Sequence, residues 1–177
     1  MNVLLVGIQG SGKSTIGGYI AGKLKVPFVS TGEIFRNLRE EDSQTGLLVK
    51  SLIDQGKFVP DQLTMEIINA RLNKADAKNG FVLDGAPRNL VQEKLLEHKI
   101  DLIVSIKLSA QEAINRLRNR GRHDDTEEAI RNRIAWHNEN TIPLISFYRE
   151  HGVKTIEVDN TPGEDEVRKQ IDELFKN

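Results

Sequence analysis

Gly7, Gly10, Gly12, Lys13 and Ser14 lie in the stretch GIQGSGKS, which fits the pattern G-x-x-x-x-G-K-[ST]. Glycines at this spacing let the backbone turn tightly and aim successive N–H groups at phosphate oxygens. The helix-compatible segment that follows adds its positive N-terminal end. Lys13 is placed to reach β- and γ-phosphates, and Ser14 to bind Mg2+. The cradle residues Gln9, Gly10, Ser11, Gly12, Lys13, Ser14 and Thr15 therefore predict a bound nucleoside triphosphate. They are silent on where its phosphoryl group goes.

An acidic group supports the cradle. The run FVLDG places Asp84 at the end of an apolar strand, where it can hold a metal through water. A strand-end Asp also serves as a turn or helix cap, so Asp84 gains its meaning from the cradle. Arginines bear on the destination of the phosphoryl group. Hydrolysis needs few of them, whereas bringing two polyphosphates together in line needs many. The chain offers Arg36, Arg88, Arg116, Arg118, Arg120, Arg122, Arg131 and Arg133. Arg118 and Arg131 read best as a solvated helix face.

These residues need a scaffold, and the pattern of apolar runs supplies one. Strand candidates are Val3–Val6, Pro27–Val29, Phe81–Leu83, Leu102–Ile106 and Lys154–Val158, with amphipathic stretches between them. Continuous apolar runs suit parallel strands covered on both faces, which predicts a doubly wound α/β fold. Between Thr31 and Asn79 the chain reads only as helices, which predicts an inserted helical lobe. SAQE at Ser109 has the capping-box pattern, and so has TPGE at Thr161, with Pro162 expected at the first helical position. Thr31 has the chemistry of an N-cap. Pro143 falls within a long helical pattern and predicts a kink or break there. Trp136, Phe147 and Tyr148 read as packing residues, and His123 as a surface histidine.

Composition narrows the field. The 177 residues suffice for one domain with a core. The formal charge of −1 makes no case for nucleic acid or an anionic membrane. Cysteine is absent, so disulfides and cysteine-held zinc are excluded. No apolar run approaches the length of a membrane span. The expectation is a soluble, cytoplasmic monomer.

After the phosphate loop come VSTGEIFR, GKFVPD, GFVLDGAPRNLVQ and GRHDDTEEAIRNR, in that order. Together they resemble the adenylate kinase family of nucleoside monophosphate kinases, over nearly the whole chain. The resemblance implies a P-loop NTPase-type core with a five-stranded parallel sheet. It implies reversible Mg2+-dependent transfer of the ATP terminal phosphoryl group to AMP, giving two ADP. It divides a single domain into a core (residues 1–30, 60–119 and 134–177), a monophosphate-binding helical lobe (31–59) and a short lid (120–133). Position by position, Thr31 looks like the residue beside the AMP adenine, and Arg36 and Arg88 like ligands of its phosphate. Lys57, Phe58 and Val59 resemble the stretch lining the AMP base. Gly85, Ala86 and Pro87 follow the family's phosphate-site motif with Arg88. Gln92 resembles the amide that reads the base edge, a role suited to a group that donates and accepts at once. Arg116 and Arg120 look like arginines on ATP, Arg122 and Arg133 like the pair on the reacting phosphates, and Pro162 like the loop touching the ATP adenine.

The departures are specific. Gln9 stands where the family has proline, and Ser14 where it has glycine, as in kinases of small metabolites. Ala86 stands where Phe is usual, which predicts less aromatic bulk beside the monophosphate and looser base selectivity. The lid is clipped and cannot carry zinc in the usual form. The rival readings are a UMP, CMP or deoxynucleotide kinase, a small-metabolite P-loop kinase, and a non-catalytic nucleotide- or RNA-binding module.

Overall fold

The computed structural model describes residues 1–55, 57–120 and 126–175, without the side chains of Arg120 and Glu164. Five strands form one all-parallel sheet: β1 (Asn2–Val6), β2 (Phe28–Ser30), β3 (Phe81–Asp84), β4 (Leu102–Lys107) and β5 (Lys154–Asp159). Their order is β2-β3-β1-β4-β5. Each expected strand is present, with no end displaced by more than one residue.

The sheet is covered on both faces because successive residues of each strand point opposite ways. Leu4, Val6, Leu83 and Ile103 pack against Met65 and Ile68 of α4 (Asp61–Leu72) and Leu144 and Tyr148 of α7 (Glu127–Glu150). Val3, Leu5, Val82 and Val104 pack against Ile16 and Ile20 of α1 (Lys13–Leu24) and Val167 and Ile171 of α8 (Glu164–Leu174). Contact is closest at Gly17 of α1. A Cβ there would stand 2.3 Å from the Phe28 ring and 2.6 Å from Leu5 Cδ1. Gly17→Ala is expected to destabilise the fold by about 1–3 kcal/mol, as overpacking does. Denaturant unfolding at equilibrium reads this, and an unchanged midpoint would contradict it.

The excursion between β2 and β3 is helical, as expected. It holds α2 (Thr31–Leu38), α3 (Gln44–Asp54), α4 and a 3-10 turn at Ala75–Ala77. Ser30, not Thr31, caps α2, its Oγ accepting from Glu33 N at 3.4 Å. Thr31 is the first helical residue. With two adjacent hydroxyl residues the pattern leaves the cap ambiguous by one position. Arg39 Nη2 pairs with Asp54 Oδ1 at 2.9 Å and ties α2 to α3.

The last third departs from expectation twice. α5 (Leu90–Leu95) and α6 (Ala110–Arg120) precede it, and Ser109 caps α6 as expected, accepting from Glu112 N at 3.2 Å. Pro143 does not break α7, which runs through it for 24 residues. Proline removes one hydrogen bond, but buried Leu144, Ile145 and Tyr148 just beyond it hold the helix on the sheet. Pro162 does not open α8. Gly163, with φ 109°, takes the cap position, and Thr161 N instead donates to Asp159 Oδ1 at 2.8 Å.

Candidate functional site

The site lies where β1, β2 and β3 end at one level. Ser30 pairs in register with Asp84, and Asp84 with Leu5. The phosphate loop, the start of α2 and the Gly85–Arg88 turn therefore meet at the carboxyl edge of the sheet. This is where open α/β sheets bind ligands.

In the loop, Gly10 and Gly12 take φ values of 87° and 85°, which favour glycine. A Cβ on Gly12 would stand 2.4 Å from Asn160 Nδ2. That amide donates to Ser11 O at 2.8 Å, and Arg116 Nη2 donates to Asn160 O at 2.8 Å. Arg116 also donates to Glu112 Oε1 at 2.8 Å. A chain of hydrogen bonds thus runs from α6 through the loop after β5 to the cradle. Lys13 Nζ donates to Gly7 O at 2.7 Å and Ile8 O at 2.9 Å. Arg133 Nη1 donates to Gln9 Oε1 at 3.0 Å, so the residue in the family's proline position receives a bond from α7.

Asp84 is 7% exposed at the end of β3, and Ser14 Oγ donates to its Oδ2 at 3.3 Å. Two hard oxygen donors thus converge beside the lysine, a set that suits Mg2+.

Across the cleft, the positions a side chain on Gly85 would fill lie 3.1 Å from Thr31 Cβ and 3.2 Å from Arg88 Nη2. Glycine lets the two approach. Thr31 is 3% exposed, and its hydroxyl has no partner among the described residues. Burial lowers the Arg88 guanidinium pKa; Asp84 pulls it up again and Arg133 lowers it further. The residue is nonetheless open to solvent, since the surrounding groups wall an open cleft. Arg88 remains charged at neutral pH. The Ala86–Pro87 peptide bond is cis.

Gln92 is 6% exposed, with both ends of its amide engaged. Oε1 accepts from Arg88 N at 2.8 Å, and Nε2 donates to Asp61 Oδ1 at 2.7 Å. Each end keeps one further site, a lone pair on Oε1 and an N–H on Nε2, that a base edge can use. Ala86 is fully buried in the core. Its methyl group does not face the cleft, so the expected loss of bulk beside the monophosphate is not seen there.

Other expected site residues stand further out. Arg36 and Lys57 are exposed, and Val59 is buried. Phe58 is exposed and packs on Trp136, ring centroids 5.5 Å apart. Trp136, half-buried, thus packs on a neighbouring ring and Tyr148 in the core, both as expected. Phe58 and Trp136 line a groove of about 550 Å3 that no phosphate-loop residue borders. Pro162 is exposed, two residues after Asn160. Arg118 and Arg131 both pair with Glu127 on the surface, as expected of a solvated face. Arg120 closes α6, but its side chain, like Arg122 and His123 entire, lies outside the described residues.

Sequence reasoning missed Asn160, Asp61 and His137. No motif marks Asn160, and Asp61 closes the GKFVPD motif, where only Lys57, Phe58 and Val59 were given a role. His137 stands four residues after Arg133 on α7, and that spacing was the available signal. It is half-buried, with its pKa lowered to about 4 by burial first and then by Lys13 and Arg88. The folded protein keeps this imidazole neutral, while the unfolded chain protonates it near 6.5. The unfolded state therefore binds more protons between those values, and stability falls as pH drops from 6.5 to 4. The ligand-free His137→Phe variant is expected to lose less stability across that window. Parallel curves for the two proteins in urea titrations at several pH values would contradict this.

A family model described as adenylate kinase matches residues 5–153. The chain is 41% identical over 171 residues to an adenylate kinase of Mycobacterium tuberculosis (strain H37Rv), covering 93% of this chain and 94% of the relative. It is 40% identical over 182 residues to one of Mycolicibacterium paratuberculosis, covering 99% and 95%. It is 41% identical over 180 residues to one of Leifsonia xyli, covering 96% and 90%.

Proposed function

The chain belongs to the adenylate kinase family and is a nucleotide-binding kinase, and from this premise we propose that it transfers the terminal phosphoryl group of ATP to AMP. The reaction is reversible, requires Mg2+ and gives two ADP. Its service to the cell is the balancing of adenine nucleotides. One observation carries the reading: Lys13, Arg88 and Arg133 stand around a single cleft, with the phosphate loop on one side and the Thr31–Gly85–Arg88 corner on the other. A cleft with two phosphate-binding walls suits transfer between two nucleotides.

The AMP phosphate is already anionic, so no strong general base is needed; catalysis is positioning and electrostatics. Lys13 with the loop N–H groups of residues 9–15 holds the ATP phosphates. Arg88 and Arg36 hold the AMP phosphate, and Arg122 and Arg133 neutralise the charge shared between them. Thr31, whose buried hydroxyl has no partner among the described residues, stands beside the AMP base, with Lys57, Phe58 and Val59 along it. Gly85, Ala86 and Pro87 line the phosphate side with their backbone. Gln92 fixes the Arg88 loop through Oε1 and reads the base with its remaining lone pair and N–H. Arg116 braces Asn160 beneath the ATP site, and Arg120 and Pro162 touch the ATP side. Ser14 and Asp84 would hold Mg2+, partly through water; bound there, the ion neutralises charge on the phosphate oxygens. Residues 31–59 act as the monophosphate lobe and 120–133 as a short lid. Closure keeps water from competing with the acceptor. The protein works as a cytoplasmic monomer.

A second reading, transfer to UMP, CMP or a deoxynucleotide, shares every phosphate contact and differs at the base. It draws on Gln92, whose Nε2 is engaged by Asp61 and which keeps one donor and one acceptor site, a pair that a pyrimidine edge also matches. The small-metabolite kinase reading does not survive the family match. The test is to mix ATP, AMP, Mg2+ and enzyme and resolve the products by chromatography. Two ADP per ATP consumed supports the proposal. Free phosphate with AMP untouched would refute it.

A further inference from the structure

One half-buried group on the cleft wall has no part in the account so far. Arg133, His137 and Thr141 lie at successive four-residue steps of α7 and so share one face. Arg133 reaches the phosphate loop through Gln9 Oε1. Thr141 Oγ1 donates to Arg88 O at 2.9 Å, on the opposite wall. His137 is between them, about 6 Å along the helix axis from each. Its ring is thus held over the gap between loop and Arg88 turn. No hydrogen bond to it is seen among the described residues, and the groups that influence it most are the Lys13 ammonium and the Arg88 guanidinium.

We propose that His137 is a phosphate-contacting residue of the transfer cleft, its imidazole N–H donating to a phosphoryl oxygen between those held by Lys13 and Arg88. This rests on the reading of the cleft as a site for two nucleotides. An imidazole suits the position. Another permanent cation beside Lys13, Arg88 and Arg133 would add like-charge repulsion in the empty cleft. A neutral ring avoids this and still offers a donor.

The arrangement also makes binding draw protons. In the empty protein the ring faces Lys13 from α1 and Arg88 from the turn after β3. Arg133 lies one turn back on its own helix, and Asp84 stands next to Arg88. Burial first, and the Lys13 and Arg88 charges second, keep the ring neutral, and phosphates entering among the cations cancel the second of these. The His137 pKa then rises from about 4, and between the free and bound values the complex takes up a proton that the empty protein lacks.

The experiment compares wild type, His137→Phe and His137→Gln. The ligand is a bisubstrate probe, two adenosines joined by five phosphates. Calorimetry at pH 6 in buffers of different ionisation enthalpy gives affinity and proton uptake together. Thermal midpoints of the ligand-free proteins report folding. We expect His137→Phe to bind the probe about tenfold more weakly, as loss of a hydrogen bond to a charged group entails. His137→Gln, which keeps a donor, should recover to within about threefold. Proton uptake should exceed that of both variants in wild type alone. Equal affinity and equal uptake in all three proteins would overturn the proposal. So would equal loss in Phe and Gln together with lowered thermal midpoints, which marks a packing role. Wild-type turnover is followed in parallel. Tight probe binding without ADP formation would sink the reaction assigned above while the His137 comparison still reads out.

Discussion

Lys13→Ala is expected to lower kcat by about a thousandfold, roughly 4 kcal/mol of transition-state stabilisation. In the ligand-free loop Lys13 Nζ donates to Gly7 O and Ile8 O. It is thus held at the mouth of the cradle, one swing from the phosphates. Charge moves onto bridging and terminal oxygens during transfer, so a cation there counts for more in the transition state than in the ground state. Alanine removes it without reaching the core, because Lys13 is only partly buried. The thermal midpoint should therefore fall by only a few degrees. Steady-state kinetics with ATP and AMP decides this. A kcat within tenfold of wild type would remove Lys13 from the chemistry.

Arg88 carries the second large effect. Its guanidinium lies against Gly85 and Thr31, near Asp84 and Arg133. Its backbone is pinned from two sides, N–H to Gln92 and carbonyl to Thr141. A flexible arginine is thereby set in one place, as bidentate phosphate contact requires. Arg88→Ala should reduce kcat/KM for AMP by about a thousandfold and Arg88→Lys by about a hundredfold, since an ammonium keeps charge but not the planar fork. KM for ATP should change much less. If Arg88→Lys retains full activity, the fork geometry is irrelevant; if KM for ATP rises as much as that for AMP, Arg88 is not on the acceptor side.

Much of this was legible in the sequence, for identifiable reasons. The five strands were found because parallel strands buried on both faces read as plain apolar runs. The order β2-β3-β1-β4-β5 is a long-range property that no local pattern encodes, and the sequence reading did not include it. Local rules failed where neighbours competed. Ser30 took the cap from Thr31, and Gly163 displaced Pro162 from the start of α8. Tertiary packing kept α7 whole across Pro143. At the site, glycines and Lys13 were visible because their motif follows from phosphate geometry. Asn160 was invisible, and Asp61 stood in a quoted motif without a role, because each acts by bracing another residue and a single hydrogen bond leaves no sequence signature. Ala86 looked like a change in the cleft until its methyl group proved to face the core.

The account turns on where the terminal phosphorus goes. The direct measurement gives the enzyme Mg2+ and ATP labelled with 32P at the γ position, with AMP, CMP, UMP, GMP and dAMP present together at equal concentration. The products are separated and the label located. Label is expected in the β position of ADP first, with little in the other diphosphates and little as inorganic phosphate. Label appearing first in a pyrimidine diphosphate, or chiefly as free phosphate, would contradict it.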